Sequence, residues 1–337
     1  MLGGFFALCS AATFAFNNAS VRRGVLTGTV VQAMAITVPI GVPISFLIVL
    51  LTGSFGVMFG FSPKALLALS ASGIMHFVWG RYCNYRATRA IGTNLVAPIQ
   101  QVNLILTLCL AIWLLGEELT PLRIVGIALV LLGPALTNRG GEKPASDREV
   151  SPEKITAIDA EKPAAFKPKY AEGYFFSLLS ATGYGLSPIL VRIGLENKGL
   201  SVSIAGNFVA SLAATAVMAL VLLWPGNIRH ALAVKRESAR WFTLSGVLVC
   251  ISQIFLYMAM SIAPVTVVSP INRMSILFRL YFSRWLNPEH EMFGSGVVLA
   301  TIVSFAGAVL LSLSVPLVQS VLPLPDAVVT LLNWHWP

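Results

Sequence analysis

The chain has 337 residues, of which 56% are hydrophobic and 11% are charged, and its mean hydropathy is +0.79. Ordinary soluble domains carry about 25% charged residues, so the composition excludes a soluble globular enzyme and indicates an integral membrane protein. The net charge of +9 does not predict nucleic-acid binding, because the excess basic residues are mostly single Arg or Lys at the ends of apolar runs.

Ten apolar runs, most of them long enough to cross a bilayer, follow one another along the chain. They cover residues 2–20, 29–51, 65–88, 93–115, 121–137, 173–192, 202–224, 241–262, 265–286 and 293–315. The runs are continuous rather than alternating, which favours helices over the strands of a β-barrel. We therefore predict an all-α, multi-pass protein of a cell (inner or plasma) membrane with ten transmembrane helices.

The charged segment 138–172 divides these runs five and five. It contains seven of the 23 Lys and Arg residues and seven of the 14 Asp and Glu residues, a composition typical of a flexible, solvated linker. The chain is thus divided into a first unit at 1–137, the linker, a second unit at 173–315 and an apolar tail at 316–337. Proline residues interrupt the tail, which we expect to lie along the membrane interface.

The two units resemble each other. A shift of 170 aligns GGFFALCSAA, from Gly3, with GYFFSLLSAT, from Gly173. A shift of 172 aligns YRATRAIGTNLVAPIQQ, from Tyr85, with YMAMSIAPVTVVSPINR, from Tyr257. Because each unit has an odd number of spans, the second must enter the membrane from the opposite side. Two inverted five-helix repeats are typical of secondary transporters, whose site lies where the repeats meet.

The stretch from Ala87 to Leu136 resembles the EamA-type repeat of the drug/metabolite transporter superfamily. The residues that carry the resemblance are Ala87, Ala90, Pro98, the loop Gly116–Thr120, Gly126 and Gly133, with Ala259, Pro264, Pro270 and Gly307 in the second copy. The second loop, Asn287–Glu291, departs from the Gly-Glu pattern. The resemblance implies two five-helix halves and the export or exchange of small metabolites, and it does not select a substrate.

Polar side chains inside the spans are the candidate substrate ligands, because a polar group in hydrocarbon is unfavourable unless it serves a purpose. Arg81 and Tyr85 are four residues apart on one helix face, and the repeat aligns them with Gln253 and Tyr257. Gln100, Asn272 and Arg273 each follow a proline that frees backbone groups inside a span. The alternatives are arginines that extend to lipid headgroups and amides that only join helices.

Every Asp and Glu outside the linker lies in a loop, at the end of a span or in the tail. Together with the arginines, this absence of carboxylates favours an anionic or zwitterionic substrate. The sequence contains no P-loop and no His/Cys cluster with metal-ligand spacing, so we expect no cofactor, no metal and no ATP-driven transport.

We therefore predict a secondary transporter, an exporter or exchanger working by alternating access, and not an enzyme. The expected partners are a small-molecule substrate and the lipid bilayer, with no nucleic acid; a homodimer is left open. An intramembrane enzyme acting on lipid or isoprenoid substrates and a channel are the alternatives. Orientation stays open, because the distribution of Lys and Arg puts the linker in the cytoplasm, whereas the family resemblance puts both termini there.

Overall fold

The computed structural model describes residues 1–91, 96, 99–100, 102–137, 169–196 and 199–286, together with 299, 302–303, 305–307, 310, 325 and 334. Within these residues every regular element longer than one residue is a helix. The first half contains α1 (Leu2–Thr27), α2 (Val30–Thr37), α3 (Gly41–Leu51), α4 (Pro63–Gly73), α5 (Arg81–Ile91), α6 (Val102–Leu115) and α7 (Pro121–Thr137). The second contains α8 (Tyr170–Leu195), α9 (Leu200–Leu222), α10 (Asn227–Leu232), α11 (Arg236–Ile262), α12 (Val265–Asn272) and α13 (Ser275–Leu286).

Several of these helices are long and apolar enough to span a membrane. Four described segments meet both conditions, namely Val30–Leu51, Tyr170–Leu195, Leu200–Leu222 and Arg236–Ile262. The last has 27 residues, which at about 1.5 Å per residue exceeds the roughly 30 Å of a bilayer core. The predicted tenth span, 293–315, lies mostly outside the described residues, so the count of ten helices stays a prediction.

The first helices of the two halves, α1 and α8, run in opposite directions, because α1 ends and α8 begins at the same end of the molecule. At the end of α1, the Thr27 hydroxyl lies 2.6 Å from that of Ser238 near the start of α11. The backbone N–H of Lys169, which precedes α8, donates to the carbonyl of Ala90 at the end of α5. The end of the molecule that contains these contacts and residues 169–172 is called the linker end. The opposite end, where Ser62 donates to Glu196 after α8, is called the far end.

Three interruptions divide helices near the middle of the protein. Between α2 and α3, Pro39 and Pro43 lack backbone N–H groups, and the N–H of Gly41 donates to Val38 instead of Thr37. A π-helix at Ile74–Gly80 joins α4 to α5. Between α12 and α13, the N–H of Arg273 donates to the carbonyl of Pro270. The runs 29–51, 65–88 and 265–286 are therefore helices in two parts.

Small residues bring the two halves into direct contact. A Cβ added at Gly73 of α4 would lie 2.1 Å from the carbonyl oxygen of Ala210 in α9. Helix α1 packs along α11, where the hydroxyls of Ser10 and Ser252 are 3.1 Å apart. One apolar core contains residues from both halves. The described halves therefore form one packed body, and a site between them is lined by both.

Candidate functional site

A cavity of about 50 Å³ lies between the two halves, level with the interruptions of the helices. From the first half it is lined by Phe14, His76, Gln100 and Asn103, and from the second by Tyr184, Pro188, Gln253, Leu256, Met260, Ser269, Asn272 and Arg273. We call it the central cavity. Its position at the meeting of the halves, where helices are broken, is that of a substrate site in transporters built from inverted repeats.

Four polar atoms of the central cavity have no hydrogen-bond partner among the described residues. They are Oδ1 of Asn103, Oγ of Ser269, Oδ1 of Asn272 and Nε of Arg273. Buried polar atoms in proteins are almost always hydrogen-bonded. The cavity thus offers both acceptors and a charged donor to a molecule that enters it.

Gln100 joins the cavity wall to two other helices. Its Nε2 donates to Oδ1 of Asn84 on α5 at 2.9 Å and to Oγ of Ser180 on α8 at 3.0 Å. Ser180 in turn donates to the carbonyl of Gly80, at the end of the π-helix. These bonds fix the amide of Gln100 between the halves. Pro98, which precedes it, lies outside the described residues.

The other predicted ligands lie elsewhere. Arg81 is 3% exposed, and its Nη1 donates to the carbonyl of Thr37 at 3.2 Å in a separate small cavity. Tyr85 is buried in the apolar core, and the hydroxyl of Tyr257 lies 2.8 Å from that of Ser72. Of the seven predicted residues, the structure brings Gln100, Gln253, Asn272 and Arg273 together. The repeat aligns Arg81 with Gln253, yet only Gln253 reaches the central cavity.

Sequence reasoning did not select Asn103 and Ser269 as ligands, although helical spacing could have found them. Asn103 follows Gln100 by three residues, and Ser269 precedes Asn272 by three, so each shares a helix face with a selected residue. His76 also reaches the cavity, where its ring centre is 4.8 Å from that of Tyr184. These residues are spread over both halves, and no local sequence motif joins them.

A wider vestibule of about 640 Å³ lies at the linker end. Its lining includes Arg86, Arg89, Lys169, Glu172 and His230. Arg86 forms an ion pair of 2.5 Å with Glu172, which leaves Arg89 and Lys169 as the excess positive charge of the lining. An anionic solute is therefore attracted to this end of the molecule.

The far end is closed by polar contacts between the halves. Both carboxylate oxygens of Glu117, in the loop after α6, accept backbone N–H groups at the start of α12, from Val265 and Thr266, each at 2.8 Å. Arg123 also joins the halves by donating to Thr266 at 3.4 Å. Within the second half, Arg192 at the end of α8 donates to the carbonyl of Met260 in α11. A carboxylate at a helix N-terminus also interacts favourably with the helix dipole.

An all-helical membrane protein whose halves line a polar cavity, with polar contacts between the halves at one end of the molecule and a separate, wider pocket at the other, has the architecture of a membrane transporter. The sequence profile of the EamA-like transporter family matches residues 1–139 and 171–313. The chain belongs to this family, and it is therefore a multi-pass membrane transporter of the drug/metabolite transporter superfamily.

The fold is also found in a solved structure, described only as the crystal structure of a protein. The two chains are 17% identical and superpose with a TM-score of 0.62 over 92% of this chain and 94% of the other. At this identity the likeness concerns the fold alone. Comparison with curated proteins finds no match.

Proposed function

We propose that the protein is a secondary transporter of the cell membrane that exports or exchanges a small anionic or zwitterionic metabolite by alternating access between inverted repeats. The observation that carries the proposal is the central cavity, which both halves line and which contains Arg273 with its Nε unpartnered among the described residues. A site made by two opposed halves can open to either side when one half tilts against the other.

The lining of the central cavity supports the substrate class. Among the described residues of its wall, Arg273 is the only Lys or Arg, and none is a carboxylate. A guanidinium binds carboxylate and phosphate groups through paired, charge-assisted hydrogen bonds. Helix α13 begins at Ser275, so its positive N-terminal end lies beside Arg273. The amide oxygens of Asn103 and Asn272 are suited to accept from an ammonium group, as in a zwitterion.

The size of the cavity supports a moving carrier. Ligand pockets usually have about 300–1,000 Å³, whereas the central cavity has about 50 Å³. A metabolite can enter only if the halves separate. The vestibule favours entry from the linker end, and release at the far end then requires Glu117 to leave the start of α12. A channel needs no such separation, and an enzyme is less well supported because members of the family are generally transporters.

The test is counterflow in proteoliposomes loaded with a panel of amino acids, dicarboxylates, sugar phosphates and hydrophobic cations. We expect saturable counterflow for an anionic or zwitterionic compound. Arg273→Gln should lower it at least about 10-fold, because charge-assisted bonds contribute roughly 1.5–3 kcal/mol. Arg273→Lys keeps the charge and loses the fork geometry, so its counterflow rate should lie between those of the unaltered protein and Arg273→Gln.

Arg236→Gln is the matched control, because Arg236 is exposed at the start of α11 and lies outside the cavity wall. It should transport as the unaltered protein does. Preference for hydrophobic cations, or full activity of Arg273→Gln, would contradict the proposed substrate class. Linear, non-saturating flux would indicate a channel.

A further inference from the structure

Another small cavity lies at the interruption between α2 and α3, separate from the central cavity. It has a volume of about 10 Å³, and its wall includes Thr37, Gly41, Phe77, Arg81, Ser211 and Cys250. None of its lining residues lines the central cavity. This volume corresponds to about one water-sized sphere, so the cavity accommodates a single small ion or molecule and no metabolite.

Two hydrogen-bond donors of this wall have no partner among the described residues. They are Nη2 of Arg81 and Oγ1 of Thr37, and these residues are 3% and 1% exposed. At the interruption, the N–H of Gly41 no longer donates to the carbonyl of Thr37. Nη1 of Arg81 donates to this carbonyl instead, which fixes the guanidinium beside Thr37. The guanidinium also lies over the ring of Phe77, with Cζ 5.1 Å from the ring centre.

The positive charge of Arg81 has no carboxylate nearby in the described part of the chain. The acidic residues described there all lie at or next to helix ends, and they are Glu117, Glu118, Glu172, Glu196 and Glu237. None of them lines this cavity. A buried charge is strongly unfavourable unless it is paired. The thiol of Cys250 already donates to the carbonyl of Gly41, so it does not supply the missing charge.

We propose that this cavity binds one small monovalent anion of halide size, such as chloride, held by the Nη2–H of Arg81 and the hydroxyl of Thr37. Both groups can donate, since the guanidinium only donates and the hydroxyl hydrogen rotates towards an acceptor. A water molecule accepts the same bonds and leaves the charge uncompensated. The anion joins α5 to the interruption of the second span and stabilises both.

The test is thermal unfolding of the purified protein in detergent, with chloride replaced stepwise by gluconate at constant ionic strength. We expect a saturable rise in melting temperature of about 3 °C or more, since a ligand that binds only the folded state stabilises it by mass action. Thr37→Val should weaken the apparent chloride affinity at least about 5-fold, because it removes one donor and keeps the carbonyl that positions Arg81. Arg81→Gln should abolish the chloride effect.

Thr215→Val is the matched control, because Thr215 donates to the carbonyl of Val38 at the same interruption but does not line the cavity. It should keep the chloride response, and so should Arg273→Gln. Crystals grown in bromide should show one anomalous peak within hydrogen-bonding distance of Arg81 Nη2. Absence of a saturable chloride response, an unchanged affinity in Thr37→Val, or loss of the response in Arg273→Gln would overturn the proposal.

Discussion

At the scale of single residues, Gly73 is the glycine of the described chain at which an added Cβ would have least room. Its added Cβ would meet backbone atoms of Ala210, which cannot rotate away. We expect Gly73→Ala to lower the free energy of unfolding by about 1–3 kcal/mol, the usual effect of overpacking. Thermal unfolding in detergent measures the change. Gly56→Ala is the control, because nothing lies within 4 Å of a Cβ added there; equal losses in both variants would contradict this explanation.

Sequence reasoning predicted the polar residues inside the spans, but it could not predict where each side chain points. Asn272 and Arg273 follow Pro270 by two and three residues, and the local interruption places both at the central cavity. Arg81 has no such local signal. It turns towards the carbonyl of Thr37, more than 35 residues earlier in the chain, which is free because the N–H of Gly41 donates to Val38 instead. Aligned positions of the two repeats, such as Arg81 and Gln253, can therefore have different surroundings.

At the scale of elements, the interruption between α12 and α13 is expected to matter for transport and not for stability. Pro270→Ala supplies the missing N–H and favours a continuous helix, which would turn Arg273 out of its present place. We expect counterflow to fall about 10-fold or more while the melting temperature stays equal or rises. Pro63→Ala is the control, because Pro63 is the first residue of α4, where a missing N–H has no helical partner to lose.

A Pro270→Ala protein that transports normally would show that the interruption has no part in the mechanism.

The sequence predicted the break between α12 and α13, since a proline inside an apolar run removes a helical hydrogen bond. It did not predict the π-helix at Ile74–Gly80, whose residues carry no proline. There the backbone is shaped by neighbours, because the Cα of Gly80 lies 3.1 Å from a Cβ added at Gly183 of α8.

At the scale of the whole molecule, composition was sufficient to predict a helical membrane protein, and the resemblance of its motifs to a known repeat was sufficient to predict its family. They could not predict which end is closed. The closing contact joins Glu117 to Val265, which are 148 residues apart, through backbone N–H groups that any sequence would supply. Only the packing of the two halves brings this carboxylate to the start of α12.

Glu117 therefore offers the last test, because its contacts hold the far end shut. Glu117→Gln keeps the shape and one acceptor oxygen but loses the negative charge that faces the N-terminus of α12. The closed form should lose roughly 1.5 kcal/mol, which corresponds to about a 10-fold shift towards opening at the far end. The measurement is labelling of Ser269→Cys, in an otherwise cysteine-free protein, by a membrane-impermeant maleimide applied to either side of sealed vesicles.

Labelling should become faster only from the side that carries the far end, because the variant leaves the vestibule unchanged. Glu118→Gln is the matched control, since Glu118 takes part in the closure through its backbone carbonyl, which accepts from Arg123 at 2.7 Å. Equal acceleration from both sides would indicate general loosening of the protein rather than a gate. Unchanged labelling would mean that the other contacts between the halves, such as that of Arg123 with Thr266, keep the far end closed without the carboxylate.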